Sequence, residues 1–241
     1  MMQVMKVKQA SFAMAANAIA MYNVSFFNSF FSVELTTAFG VADEDMGYYF
    51  SILSFSYLSS AILIPIFFKK VPRKAQFVTC FCLTSVSMAF MGPSKLFGFP
   101  SSLTFILIGL PMLGFFQALC FIPSLPEAIE AYQREYKIVE GVSPALDSKL
   151  SDVVSSTYGL FYNLSSLVGP ILGGAMYDIV GYRTTLDINM FLELIVVGIF
   201  FYYNCGLDVV KQNEIFLEDM AKLKEISVRY KELKKNEAAN N

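Results

Sequence analysis

Histidine is absent from the 241-residue chain, and only 16% of the residues are charged. The lack of histidine removes the commonest general base and one of the two usual zinc ligands. Cysteine is scarce as well, and all four thiols fall in or beside apolar runs, where they act as small hydrophobic side chains. They are Cys80, Cys82, Cys120 and Cys205. The composition therefore predicts no disulfide framework, no metal, no cofactor and no enzyme.

The low charge content also argues against a soluble domain, which carries about a quarter of its residues as charged side chains. Here 55% of the residues are hydrophobic, and apolar runs of about 17 to 25 residues recur, the length that crosses a bilayer. The net charge of −2 indicates no nucleic acid partner. We expect an all-α membrane protein with six spans: Ala10–Phe39, Met46–Phe68, Ala75–Gly92, Ser101–Ile122, Val153–Tyr177 and Thr184–Asn204.

Two polar segments interrupt or follow the spans. The stretch Pro126–Asp152 is predicted to form a short interfacial helix and a loop. Residues 1–205 form the membrane bundle, and residues 206–241 form a charged tail. Apolar residues recur at spacings of three and four across Glu214–Leu233, which predicts an amphipathic helix. Such a helix lies on the membrane or loops, or docks a partner protein.

Basic residues determine the expected orientation. Of the 18 Lys and Arg residues, only Lys95 and Arg183 fall on one side of the six-span topology. The first loop on that side is acidic, with the run Asp43–Asp45. Because basic loops are retained on the cytoplasmic side, we expect both termini on the cytoplasmic-type side of an unidentified membrane.

The fifth span carries a stripe of small and polar residues at helical spacing. Small side chains let another helix approach closely where lipid offers no hydrophobic drive. A proline in the stripe removes a backbone hydrogen bond and should bend the helix. The stripe suits either a static bundle or one that moves between states. Its candidate packing and gating residues are Ser155, Gly159, Gly169, Pro170, Gly173 and Gly174.

The fourth span also contains glycine and proline interruptions, around Gly109, Pro111 and Gly114. Interrupted helices expose backbone groups to a cavity and point to a transport pathway. Gln117 lies near the middle of this span and needs a hydrogen-bond partner there.

Polar residues also occur within the first and sixth spans. Asn17 and Asn28 share one face of the first helix, and Asn23 and Glu34 share another. A buried Asn either joins helices or serves a function. Glu193, in the sixth span, must be protonated, paired or in contact with water or protein. Without histidine, proton coupling would depend on carboxylates such as Glu34 and Glu193.

The segment Gly169–Arg183, with Gly-Pro-x-x-Gly-Gly followed by Tyr-Asp-x-x-Gly-Tyr-Arg, resembles the eleventh helix of major facilitator superfamily transporters. It is most similar to the drug and vesicular-amine antiporter-like branch. The end of the fourth span, Phe121–Glu127, is similar to the tenth helix. The run Lys69–Lys74 occupies the place of the family's basic cytoplasmic motif, although Lys69 replaces its acid and Pro72 its glycine.

The resemblance implies one six-helix half of a transporter, with solute bound between two halves that rock by alternating access. The second half would be a separate protein or a second copy, unless this chain is itself an incomplete copy of a longer protein. The transported species would be a small organic solute, with proton antiport as the coupling. The alternative function is that of a non-transporting accessory subunit of a larger membrane complex. The candidate cavity residues are Asn17, Asn23, Asn28, Gln117, Tyr162 and Asn163.

Overall fold

A computed structural model describes residues 7–68, 71–136 and 144–204 of the chain. Within these ranges it contains six long α-helices, which confirms the predicted all-α, six-helix fold. A short 3₁₀ turn, Asp43–Asp45, precedes the second helix. The helices, numbered here in chain order, are α1 (Lys8–Phe39), α2 (Met46–Phe67), α3 (Arg73–Met91), α4 (Leu103–Tyr136), α5 (Pro144–Val180) and α6 (Tyr182–Asn204).

Length and hydropathy qualify five of these helices as membrane spans, all except α5. Helix α5 is less apolar because serines, glycines, Asn163 and Pro170 dilute its hydrophobic residues. It nevertheless runs without interruption through Pro170 and contacts α1 from Tyr158 to Tyr177. The predicted tail helix, Glu214–Leu233, and the boundary proposed at residue 205 lie outside the described residues.

The prediction of a separate interfacial helix after the fourth span is wrong. Helix α4 continues without a break to Tyr136, and α5 already begins at Pro144. The extension remains helical because Ala128 and Ala131, one turn apart, are buried in the core. These alanines form an apolar face on the otherwise polar end of α4. The mean hydropathy of this segment does not reveal that face, because it also includes the polar residues on the other side of the helix.

Helix α1 packs most extensively against α5 and also against α4, whereas α3 packs between α4 and α6. Helix α2 is held mainly by α4. At that junction a Cβ added to Gly114 would lie 2.5 Å from the Leu53 carbonyl oxygen. The Ser56 hydroxyl also donates to the Pro111 carbonyl oxygen across the same junction, at 2.5 Å. Small residues thus allow close helix contact, as expected in a bilayer.

The core is divided into two apolar layers, one at each end of the bundle. One layer contains Phe77 and Phe81 from α3 together with alanines of α1 and α4. The other is built around four phenylalanines of α1: Phe26, Phe27, Phe30 and Phe31. Between the layers the helices carry buried polar side chains. These include Asn23, Thr84, Ser85, Gln117 and Glu193.

A set of backbone contacts closes the bundle at the end where α5 turns into α6. Gly181 adopts a φ of 76°, a left-handed conformation that glycine accepts readily, and so permits the turn. The Tyr182 hydroxyl donates to the Met91 carbonyl oxygen at 3.0 Å. The Arg183 guanidinium donates to the carbonyl oxygens of Pro93 and Phe99, at 2.7 and 2.6 Å. These bonds tie the start of α6 to the connection between α3 and α4.

The predicted stripe on α5 makes its close contact with α1 at only two of its positions, Gly169 and Gly173. A Cβ added to Gly169 would lie 2.8 Å from Ser25 Cβ, and one added to Gly173 would lie 2.5 Å from the Phe26 carbonyl oxygen. The other candidates lie away from this contact. Ser155 and Pro170 are exposed, and Gly159 and Gly174 have open space where a Cβ would stand.

We expect Gly173→Ala to destabilise the bundle by about 1–3 kcal/mol, because the backbone of α1 must shift to admit the methyl group. Gly174→Ala is the matched control, since nothing lies within 4 Å of the added atom. It should leave stability unchanged or raise it by up to about 1 kcal/mol through better helix propensity. Unfolding of the two purified variants in detergent measures the difference, and equal stability would contradict the packing described here.

Candidate functional site

A cavity of about 550 Å³ lies among α1, α2, α4 and α5. The close α2–α4 contact at Gly114 forms one wall. None of its lining residues is charged. The lining residues are Met21, Val24, Asn28, Phe50, Leu53, Ser54, Tyr57, Gly114, Gln117, Phe121, Ile122, Tyr158 and Tyr162.

Gln117 is the most informative residue of this cavity. Its side chain is only 2% exposed, and neither its amide nitrogen nor its amide oxygen has a hydrogen-bond partner in the protein. A buried amide without partners costs about 1–3 kcal/mol, so native proteins rarely leave one unless it has another use. Gln117 borders the cavity, and its amide carries both a hydrogen-bond donor and an acceptor.

Aromatic rings form much of the remaining wall. Tyr57 and Tyr162 each lie 6.2 Å, between ring centroids, from Phe121. Tyr158 Oη is 3.3 Å from Ser124 Oγ, which fixes the position of that ring. Rings held in this way supply rigid apolar surface with polar hydroxyl groups at the edge.

The structure brings three of the six predicted cavity residues together, namely Asn28, Gln117 and Tyr162. The other three lie elsewhere. Asn17 is buried and donates to the Tyr158 carbonyl oxygen at 3.4 Å, so it joins α1 to α5. Asn163 is exposed on α5 outside the cavity lining. Asn23 belongs to a second polar centre.

That second centre joins α1 to α6. The Asn23 amide nitrogen donates to Glu193 Oε1, and the Asn189 amide nitrogen donates to Asn23 Oδ1 at 3.1 Å. All three side chains are at most 2% exposed. The sequence reasoning missed Asn189, although its position one turn before Glu193 within a span was a usable signal.

Glu34, the other predicted proton-coupling residue, lies at the opposite end of α1 from the N-terminus. Its carboxylate accepts a hydrogen bond from the Tyr177 hydroxyl at 3.2 Å. It borders a surface pocket of about 430 Å³ that also contains Lys95, Asp178 and Arg183. Glu34 therefore lies in a polar, partly open setting, apart from the buried cluster around Glu193.

A network of ion pairs at the other end of the bundle was also missed. Glu127, on the α4 extension, lies 3.4 Å from Arg73 and 2.7 Å from Arg134. Arg73 also pairs with Glu130 at 2.6 Å. Lys69 and Lys70, the first two residues of the altered basic motif, lie outside the described residues. The network joins the start of α3 to α4. In the sequence, the acidic residue directly after Pro126 was a local indication of it.

The uncharged cavity and the packing of α1 on a glycine-bearing α5 agree with the resemblance noted in the sequence. A family model for the Major Facilitator Superfamily matches residues 13–237. The chain belongs to this superfamily. It is therefore an integral, multi-pass membrane protein of a transporter family, and its six helices correspond to one half of the architecture found there.

Two curated members of the superfamily are also similar to part of this chain. The MFS-type transporter SLC18B1 of Rattus norvegicus is 26% identical over 148 residues, which is 60% of this chain and 31% of the rat protein. The protein of that name from Mus musculus is 25% identical over 148 residues, 60% of this chain and 30% of the mouse protein. The match thus spans less than a third of these relatives. No solved structure matches the chain.

We expect Glu127→Ala to destabilise the protein by roughly 3 kcal/mol, because it removes the buried carboxylate that pairs with both Arg73 and Arg134. Glu130→Ala is the control. Its side chain is 49% exposed against 8% for Glu127, so it should cost less than about 1 kcal/mol. Unfolding of the two variants in detergent tests this order, and a larger loss for Glu130→Ala would reverse the assignment.

Proposed function

We propose that the chain is one six-helix half of a major facilitator transporter that moves a small organic solute. The single observation that carries this proposal is the buried and unpaired amide of Gln117 in an uncharged cavity. A static membrane bundle gains nothing from such a group, whereas a solute with its own donors and acceptors satisfies it.

The cavity also favours a class of solute. Its volume of about 550 Å³ falls within the range of roughly 300–1,000 Å³ typical of small-molecule sites. Its wall offers the flat faces of Tyr57, Tyr162 and Phe121, with the amides of Gln117 and Asn28 as polar contacts. This lining suits a molecule with an apolar or ring-shaped body and a few hydrogen-bonding groups.

A second protein surface is part of the proposal. Asn28 and Tyr162 line the cavity and are also exposed, and Asn163 is exposed nearby along α5. Exposed amides are unfavourable against lipid chains. We therefore propose that a second six-helix half, or a second copy of this chain, covers this side. Alternating access would follow from rocking of the two parts about the cavity.

The same proposal assigns the orientation and the coupling. Arg73, Arg134 and Lys149 lie at one end of the described helices, and Lys95 and Arg183 lie at the other. The first end is cytoplasmic on the basis of the basic-residue excess. Proton antiport is the proposed coupling, with Glu34 and Glu193 as its candidate carboxylates.

We expect Gln117→Leu to separate solute binding from stability. Leucine removes the two unpaired polar atoms, so the variant should be as stable as the native protein or about 1 kcal/mol more stable. It should weaken binding of the solute about tenfold, because the polar contact is lost. The measurement is a thermal-shift screen of small organic solutes on the purified complex, followed by uptake into reconstituted vesicles.

Gln76→Leu is the matched control. The Gln76 amide donates to the carbonyl oxygens of Phe68 and Val71, at 3.1 and 2.8 Å, outside the cavity. Its loss should cost about 1–3 kcal/mol of stability and leave solute binding unchanged. The proposal is contradicted if Gln117→Leu loses stability as Gln76→Leu does while solute response stays native.

A further inference from the structure

The buried cluster of Asn23, Asn189 and Glu193 lies on the other side of α1 from the cavity. Met21 and Val24 face the cavity, whereas Asn23, between them in sequence, points to α6. The cluster falls between the two apolar layers, at the level of the polar side chains in the middle of the bundle. Solvent does not reach it, since all three side chains are at most 2% exposed.

Within the part of the chain that the structure describes, no ion pair joins Glu193 to a cation. The ion pairs of Arg73 and Arg134 lie near the ends of α3 and α4, away from Glu193. Tyr22 of α1, Cys82 of α3 and Cys120 of α4 lie close enough to interact electrostatically with Glu193, and none of these side chains supplies a positive charge. An ionised carboxylate in this place would be buried without compensation, at a cost of several kcal/mol.

Two oxygen atoms of the cluster have no hydrogen-bond donor. They are Glu193 Oε2 and Asn189 Oδ1, both fully buried. Asn189 precedes Glu193 by four residues on α6, so the two side chains lie on the same face of that helix. One hydrogen atom placed between these two oxygens would satisfy both.

We propose that Glu193 binds a proton on Oε2 and donates it to Asn189 Oδ1. The three side chains then form a closed ring of hydrogen bonds in which each donates once and accepts once. Asn189 donates to Asn23, Asn23 donates to Glu193 Oε1, and Glu193 donates to Asn189. The ring is neutral and leaves no polar atom of the cluster unpaired, as a buried network requires.

The ring also links the proton to the cavity wall, and this step rests on the proposed function. Helices α1 and α6 are joined by this ring in the middle of the bundle and by the aromatic contacts of Phe12 with Phe200 and of Phe30 with Tyr182. Release of the proton leaves a carboxylate facing Asn189 Oδ1, two acceptors without a donor between them. Residues on the opposite face of α1 line the cavity, so a shift of α1 in response changes the cavity directly.

Infrared spectroscopy of the purified protein at neutral pH tests the proton site. The native protein should show the carbonyl stretch of a protonated carboxyl group, with a shift in heavy water. Glu193→Gln should lose that band, and Glu34→Gln should retain it because Glu34 lies in the separate outer pocket. The proposal is overturned if Glu193→Gln instead loses an ionised carboxylate band, which would indicate a bound cation or a charged site.

Asn23→Ala provides a second test if Glu193→Gln does not fold. It leaves the proposed proton in place but removes the donor to Glu193 Oε1, so the band should move to higher wavenumber. An unchanged band would mean that it does not arise from Glu193. These spectra do not depend on uptake: a native band without any transport contradicts the proposed function alone, whereas transport without the band contradicts this inference alone.

Discussion

The interior of a bilayer offers no hydrogen-bond partners to a polar group. Each such group must therefore form its hydrogen bonds with the protein or with a bound solute, and a carboxylate can also bind a proton. The arrangement of this molecule follows from that constraint. Its apolar residues gather into two layers, and the polar side chains between them include two separate groups. One group surrounds the cavity at Gln117, and the other joins Asn23 to Glu193.

Helix α1 lies between the cavity and the Asn23–Glu193 cluster and contributes side chains to both. Its packing against α5 depends on Gly169 and Gly173, where any side chain would meet backbone atoms of α1. This close contact fixes which face of α1 turns to the cavity and which turns to α6. The connections at the two ends, through Arg183 on one side and Glu127 on the other, hold the neighbouring helices around it.

The sequence predicted the six helices well, because hydropathy and length are local properties of each segment. The continuation of α4 was missed since the burial of Ala128 depends on neighbouring helices. For the same reason the spacing of the α5 stripe did not reveal that only Gly169 and Gly173 meet α1. Polar residues were found by type, but their partners were not: Asn189 and Glu127 gain their roles from helices distant in sequence.

The central claim is that this bundle needs a second protein surface over its open cavity side, and one measurement tests it most directly. Native mass spectrometry of the gently solubilised protein gives the composition of the complex. The account predicts a second six-helix partner, either another copy of this chain or a complementary half. A single copy that alone transports solute in reconstituted vesicles, or a complex with unrelated membrane subunits only, would contradict it.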